Sequence, residues 1–270
     1  MSVNQTERAY RAWPVLVDRA SKKKTITYGE LAKALGIHHR AVRYVLGVIQ
    51  QYCLDERLPP LTILIVNRSE GTPGEGFIAW DVDDLETGLA KVYGWNWTEM
   101  ENPFGYASDG SSQEDLVDRL VQHPQEASEI FARVKVRGTA QVIFRKVLLR
   151  VYEGSCAFCG LTFEDALEAS HIISWAKSSA QQRLDPTNGI LLCSIHHKLF
   201  DAGLITLNKS GKIEYYDPNG KDGSYSKADK EMTLKLHGKS AFSPKQAMHR
   251  PSLAAIEEHR KNHRWDIVLD

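Results

Sequence analysis

Two short cysteine motifs constrain this chain more than any other feature. Cys156-Ala-Phe-Cys159, followed by Gly160, is a Cys-x-x-Cys knuckle, and Cys193-Ser-Ile-His196 repeats the spacing with histidine last. Ligands at that spacing share one tight turn and aim at one point, and a glycine just beyond them frees the turn. Three thiolates and one imidazole complete the tetrahedral set of a closed structural zinc site. A single Cys-x-x-Cys is also the spacing of a redox pair, but a second ligand pair at matching spacing favours zinc. The fourth cysteine, Cys53, follows an apolar helical pattern and reads as a buried or lone thiol.

Between the knuckles runs LEASHIISWAKSSAQQRLDPTNGILLCSIHHKLFDAG. His171 ends an apolar-alternating run, Asn188-Gly189 is a turn signal, and Cys193 to Phe200 reads as the start of a helix. The stretch resembles the HNH nucleases and their ββα-metal fold, in the restriction-endonuclease branch where the pattern HI…NG…LC..HH..FD.G recurs. The resemblance covers about residues 131–205. It implies that His171 is the general base and that Asn188 holds that imidazole or its loop. It also implies that His197 is a ligand of a catalytic divalent cation, magnesium or manganese, separate from the structural zinc.

The chemistry suits those residue types. Phosphodiester hydrolysis needs a proton acceptor titrating near neutrality, and positive charge at the leaving oxygen. His196 and His197 are neighbours at a helix start, so they point in different directions and can serve two metals. Many HNH nucleases place a further metal ligand directly before the base, where this chain has Ser170, a weak ligand for a hard cation. Asp165, Glu168, Asp201 or water are the candidates for the missing ligand. The alternative is a zinc module that has no catalytic role. Downstream, LITLNKSGKIEYYD reads as a hairpin turning at Lys209-Ser210-Gly211-Lys212, and Pro251 to Val268 as a closing helix packed through Trp265, Ile267 and Val268. His259 and His263 on that helix read as surface histidines.

Near the N-terminus, ITYGELAKALG and HHRAVRYVLGVIQQYC form a second compact pattern. Thr27 with Glu30 has capping-box spacing, and Gly36 stops the first helix. Val42, Val45, Leu46 and Ile49 fall on one face of the second helix, leaving His39, Arg40 and Arg43 for the other. A basic second helix after a tight glycine turn describes a helix-turn-helix. LTILIVN and GFIAW are the candidate strands of a wing. Residues 25–76 also resemble the winged-helix DNA-binding domain of alkylguanine-DNA alkyltransferases and alkyltransferase-like proteins, on the wording TYGELA…LG…RAV. That resemblance implies that Tyr28 assists nucleotide rotation and that Arg40 fills the space of a flipped base. The reactive PCHR segment of that family is absent, so alkyl transfer is not expected. Tyr28 as a core residue is the competing reading. Tyr93, Trp95 and Trp97 are either base-stacking aromatics or core.

The formal net charge is zero, with 34 Lys+Arg and 34 Asp+Glu, which at first argues against a nucleic-acid partner. By segment, residues 1–60 carry 10 basic against 5 acidic side chains, residues 61–130 carry 3 against 14, and residues 131–270 carry 21 against 15. Two basic modules thus flank an acidic stretch, unless the clusters are only solvated surface. Hydrophobic residues at 42% and charged residues at 25% are those of a globular chain, with no signal peptide or membrane-length apolar run, so a cytoplasmic location is expected.

The expected architecture is α+β. Residues 1–103 form a winged-helix reader, 104–130 an acidic helical linker and 131–270 a zinc-stabilised HNH nuclease domain. The expected function is a DNA endonuclease of restriction or defence type acting on double-stranded DNA, with site choice by the reader and possible dependence on a modified base. A homodimer is expected for double-strand cutting. The alternatives are a type II enzyme for an unmodified sequence, and a non-catalytic zinc-containing regulator or lesion sensor.

Overall fold

The computed structural model describes residues 3–134 and 136–265. The chain divides into two compact units, residues 1–113 with 133–138, and residues 114–132 with 139–270. No helix among the described residues is long and apolar enough to cross a membrane.

The first unit is built on helices α1 (Gln5–Ser21), α2 (Tyr28–Leu35) and α3 (Val42–Asp55). Asn4 caps α1 by accepting from the Thr6 and Glu7 amides, and Ala9, Ala12, Trp13, Leu16 and Ala20 form its buried stripe. The Thr27/Glu30 capping box opens α2, and Gly36, in the left-handed conformation at φ 65°, closes it. Val42, Val45, Leu46 and Ile49 are the buried face of α3 together with Cys53, whose thiol is pushed up to about 12 by burial. Trp13 anchors this core, edge-on to Tyr52, Trp97 and Phe104 at 5.7–5.9 Å.

The expected wing pairing is not what forms. Strand β2 (Ile65–Val66) pairs in parallel with β1 (Ile26–Thr27), while Leu61–Leu64 is a 3-10 turn and residues 77–80 carry no strand. The intervening loop turns back at once, with the Asn67 amide donating to the Thr72 carbonyl and the Gly74 amide to the Tyr28 hydroxyl. The apolar run around Ile65 therefore finds its partner forty residues upstream. Helix α4 (Leu85–Gly94) completes the unit.

The second unit takes most of α5 (Gln113–Gln122), α6 (Ala127–Val134) and α7 (Arg137–Val151), the last of which buries Ala140, Ile143, Phe144, Val147 and Leu148. Strands β3 (Leu167–His171) and β4 (Gly189–Cys193) form an antiparallel pair with Leu167 opposite Cys193 and His171 opposite Gly189. The short helix α8 (Ala180–Leu184) lies in the connection, and α9 (Ser194–Asp201) follows β4 without a break, giving a ββα unit. The hairpin β5 (Ile205–Leu207) and β6 (Ile213–Tyr215) turns through residues 209–212, where Asn208 accepts from the Ser210 and Lys212 amides and Gly211 sits at φ 72°. Helix α10 (Lys227–Met232) and α11 (Leu253–Asn262) follow. The closing helix is thus shorter than expected. Trp265 donates to the Gly203 carbonyl, and Ile267 and Val268 lie outside the described residues.

His259 is not a surface residue. It is 4% exposed, because α11 packs on β5; its ring stacks on Phe200 at 3.8 Å, and its nitrogens meet the Thr206 hydroxyl and the Phe200 carbonyl at 3.0 Å each. Burial pushes its pKa down from 6.5 to about 4. The unfolded chain therefore binds the extra proton first, so stability from this site is complete above pH 6.5 and is lost as pH falls towards 4. The loss amounts to about 3 kcal/mol at 1.4 kcal/mol per pKa unit. Urea titrations between those limits are expected to show this slope in the wild type, and His259→Gln is expected to flatten it.

Candidate active site

The two knuckles converge. The ligand atoms of Cys156, Cys159, Cys193 and His196 all lie within 4.8 Å of one another. Cys159 Sγ is 3.9 Å from Cys193 Sγ, and His196 Nδ1 is 3.2 Å from Cys193 Sγ and 3.5 Å from Cys156 Sγ. A tetrahedron with zinc–sulfur bonds of about 2.3 Å has sulfur–sulfur edges of about 3.8 Å and slightly shorter sulfur–nitrogen edges. The four residues fit a zinc ion on that count.

The surrounding contacts hold these ligands in place. His196 Nε2 donates to the Met232 carbonyl at 3.0 Å, which leaves Nδ1 as the ligating nitrogen. The Ala157 amide donates to the Leu191 carbonyl and so ties the first knuckle to β4, and Gly160 turns it at φ 75°. Hydrogen bonding among the three sulfurs holds the Cys156 thiol below the ordinary range and pushes Cys159 above it, the two sharing one proton. Zinc binding requires that proton to leave.

Next to the buried His196, on the same helix, His197 enters a different environment. Its Nδ1 meets the Glu168 carboxylate from β3 and its Nε2 meets Asp201 at 3.2 Å, one turn further along α9. The Asp201 hydrogen bond, opposed by burial and aided by Glu168, raises His197 to about 9. His197 in turn holds the Asp201 carboxyl below its ordinary range. Glu168 and Ser170 alternate onto one face of β3, and the Ser170 hydroxyl is fully buried with no hydrogen-bond partner among the described residues. Of the three carboxylates considered for the missing ligand, Glu168 and Asp201 are therefore at His197. Asp165 sits in the exposed 3-10 turn Glu164–Ala166. Two carboxylates, one imidazole and a hydroxyl form a donor set suited to a hard divalent cation.

His171 ends β3. Its ring stacks on Phe144 of α7 at 4.0 Å and meets the Trp175 edge at 5.6 Å, and Nε2 lies 3.1 Å from the Arg183 carbonyl. A carbonyl accepts only, so Nε2 carries the proton and Nδ1 is the basic nitrogen of the neutral ring. Asn188 does not reach the imidazole. Its Oδ1 accepts from the Ile173 amide, and its Nδ2 faces the Ile173 carbonyl, Ser178 Oγ and the Gln182 carbonyl, so it fastens the loop that delivers Arg183. Gly189, opposite His171, leaves room for the ring's support: a Cβ there would lie 2.6 Å from Phe144 Cζ.

In the first unit, Tyr28, His39, Arg40 and Arg43 line one cleft of about 570 Å³ together with Asn67. A neighbouring cleft of about 590 Å³ shares Tyr28, His39 and Asn67 and adds Lys33 and Arg68. His39, Arg40 and Arg43 are exposed, and Tyr28 is half-buried with its hydroxyl accepting from Gly74. Asn67 and Arg68 were not singled out in the sequence because nothing local marks them; they reach the cleft through the β1–β2 pairing. The aromatic cluster divides, since Trp97 is buried and donates to the Val92 carbonyl, whereas Trp95 is 44% exposed.

Residues 156–208 match the family model of the HNH endonucleases. The match spans both knuckles, the ββα unit and β5, so the C-terminal half carries an HNH-type domain of a class whose members are nucleases. No curated protein is similar enough to match this chain.

Proposed function

We propose that this protein is a DNA endonuclease of restriction or defence type, in which the C-terminal unit hydrolyses phosphodiester bonds and the N-terminal unit selects the site. The observation that carries the reading is the ββα unit inside the HNH match, which carries both an oriented His171 at the end of β3 and the Glu168/His197/Asp201 cluster of β3 and α9. Glu168, His197 and Asp201 would hold the catalytic cation, magnesium or manganese. When bound, it supplies Lewis-acid stabilisation of the charge that develops on the phosphate and the leaving oxygen.

The chain's own residues perform the proton chemistry. His171 Nδ1 accepts a proton from water as the water oxygen bonds to phosphorus, and the bond from phosphorus to the 3′ oxygen breaks. The 3′ oxygen is protonated from solvent, leaving 5′-phosphate and 3′-hydroxyl ends. The Arg183 carbonyl stabilises the imidazolium through Nε2, and Asn188 holds the loop that positions that carbonyl. The Cys156/Cys159/Cys193/His196 zinc site has no place in these steps. It fixes β4 and the start of α9.

The cleft of Tyr28, His39, Arg40, Arg43 and Asn67 supports DNA reading, because cations and hydrogen-bonding side chains there share one concavity. We read its target as a site bearing an altered base, the role for which a base-inspecting unit is suited. Two copies of the chain would cut the two strands. The test is cleavage of plasmids prepared in methylating and non-methylating hosts, with magnesium or manganese. Cutting confined to one preparation is the expected result. Equal cutting of both overturns the modified-base reading and leaves the nuclease reading intact.

A further inference from the structure

Away from both reading clefts, the first unit carries a cleft of about 520 Å³ whose lining includes Arg57, Pro59, Trp80, Lys91 and Trp95. Its two tryptophans are less buried than Trp13 and Trp97, although the Trp95 ring lies 6.3 Å from that of Trp97. Trp95 is 44% exposed with its Nε1 on Met100 Sδ at 3.2 Å, and Trp80 is half-buried with its Nε1 on the Asp84 carbonyl at 2.9 Å. Both indole N–H groups are thus engaged with the protein. Among the described residues the two rings make no contact with each other.

The position of Trp80 is provided for by the backbone. It lies against α4 at Gly88, where a Cβ would come within 2.7 Å of Trp80 Cδ1 and 2.6 Å of Ile63 Cδ1. Lys91, one turn further along α4, stands 4.9 Å above the Trp80 ring. Neither Lys91 nor Arg57 has a carboxylate partner among the described residues, although acidic side chains dominate this part of the sequence.

We infer that this cleft holds a single unstacked nucleotide of a DNA strand, its base against the exposed Trp95 and its phosphate at Arg57 and at Lys91, which stands over Trp80. The two cations argue against a cationic ligand, and the indole faces call for a planar ring. A nucleotide joins a planar ring to an anion, and DNA is the source of nucleotides that the proposed function supplies. A paired duplex keeps its bases stacked, so only an unpaired or extruded nucleotide presents a base to such a cleft. The inference rests on the reading of DNA as the partner.

The test is fluorescence anisotropy of the full-length protein, without divalent cations so that strands stay intact, on three labelled duplexes. One is fully paired, one has a single-nucleotide bulge and one has the same bulge made abasic. The wild type is expected to bind the bulged duplex about tenfold more tightly than its abasic counterpart, the scale of one base–aromatic stack. Trp95→Ala should reduce bulge binding to the abasic level, the pair Arg57→Ala with Lys91→Ala should weaken the bulged and abasic duplexes alike, and Trp95→Ala should leave paired-duplex binding unchanged. Equal binding of bulged and abasic duplexes by the wild type would overturn the inference, and so would retention of the preference in Trp95→Ala. Competition by free AMP as effective as that by the bulged duplex would overturn it too, by making this a mononucleotide site. The wild-type comparison holds whether or not a given variant folds. Failure of the nuclease reading shows separately, as absence of cation-dependent cutting with the base preference retained.

Discussion

Replacing Cys193 with serine is expected to remove zinc from the protein and to unfold the second unit at temperatures where the wild type is intact. Cys193 ends β4, lies 3.2 Å from His196 Nδ1 and 3.9 Å from Cys159 Sγ, and is opposite Leu167 in the β3–β4 register. One substitution therefore opens the ion's coordination and frees the joint between β4 and α9. Structural zinc sites couple about 10 kcal/mol or more of binding free energy to folding. If only half of that were lost, the unfolding midpoint of a unit of this size would fall by roughly 10–20 °C. The control is Cys53→Ser, a buried thiol in the first unit, which should retain one equivalent of zinc per chain. Zinc content by atomic emission, paired with thermal unfolding, reads both effects. A Cys193→Ser protein with full zinc and an unchanged midpoint would refute the assignment.

The second large effect is expected at His171. Its ring is held between Phe144 and Trp175 with Nε2 on a backbone carbonyl, and none of the zinc ligands touches it. His171→Ala should therefore keep zinc and most of its stability. It should lower the single-turnover cleavage rate by about 10²–10⁴-fold, the range contributed by a positioned general base. DNA binding by the reading unit should not change. If cutting persisted at the wild-type rate in a zinc-replete His171→Ala chain, the base would have to be another group.

Much of the candidate site was legible because its signals are local. Cys-x-x-Cys and Cys-x-x-His spacings fix which turns face the ion, and adjacent histidines at a helix start must diverge, so His196 entered the thiol cluster and His197 the carboxylates. The capping box of Thr27 and Glu30 and the stop at Gly36 are likewise decided within a few residues. What failed depended on contacts made at a distance. The apolar run at Ile65 has strand character, but nothing local says that its partner is Ile26 in parallel rather than a following wing strand.

His259 shows the same limit. An i, i+4 histidine pair among charged residues looks solvated, and only the packing of α11 on β5 buries it. The charge asymmetry also changed meaning. Part of the acidic stretch is neutralised within the second unit, where Glu114 lies 2.6 Å from Lys146 and 3.2 Å from Arg150, and Asp118 also meets Arg150. Exposed pairs of this kind contribute little stability, but they cancel field, so segment charge overstates how basic α7 is to an approaching polyanion.

The central claim, that the HNH-type domain is a working hydrolase and not a zinc scaffold, is tested most directly with zinc-replete wild-type protein on supercoiled plasmid, with and without added magnesium or manganese. Nicked and then linear DNA with 5′-phosphate ends is expected to form only when the cation is added. Plasmid that is bound but stays supercoiled in both cations would contradict it.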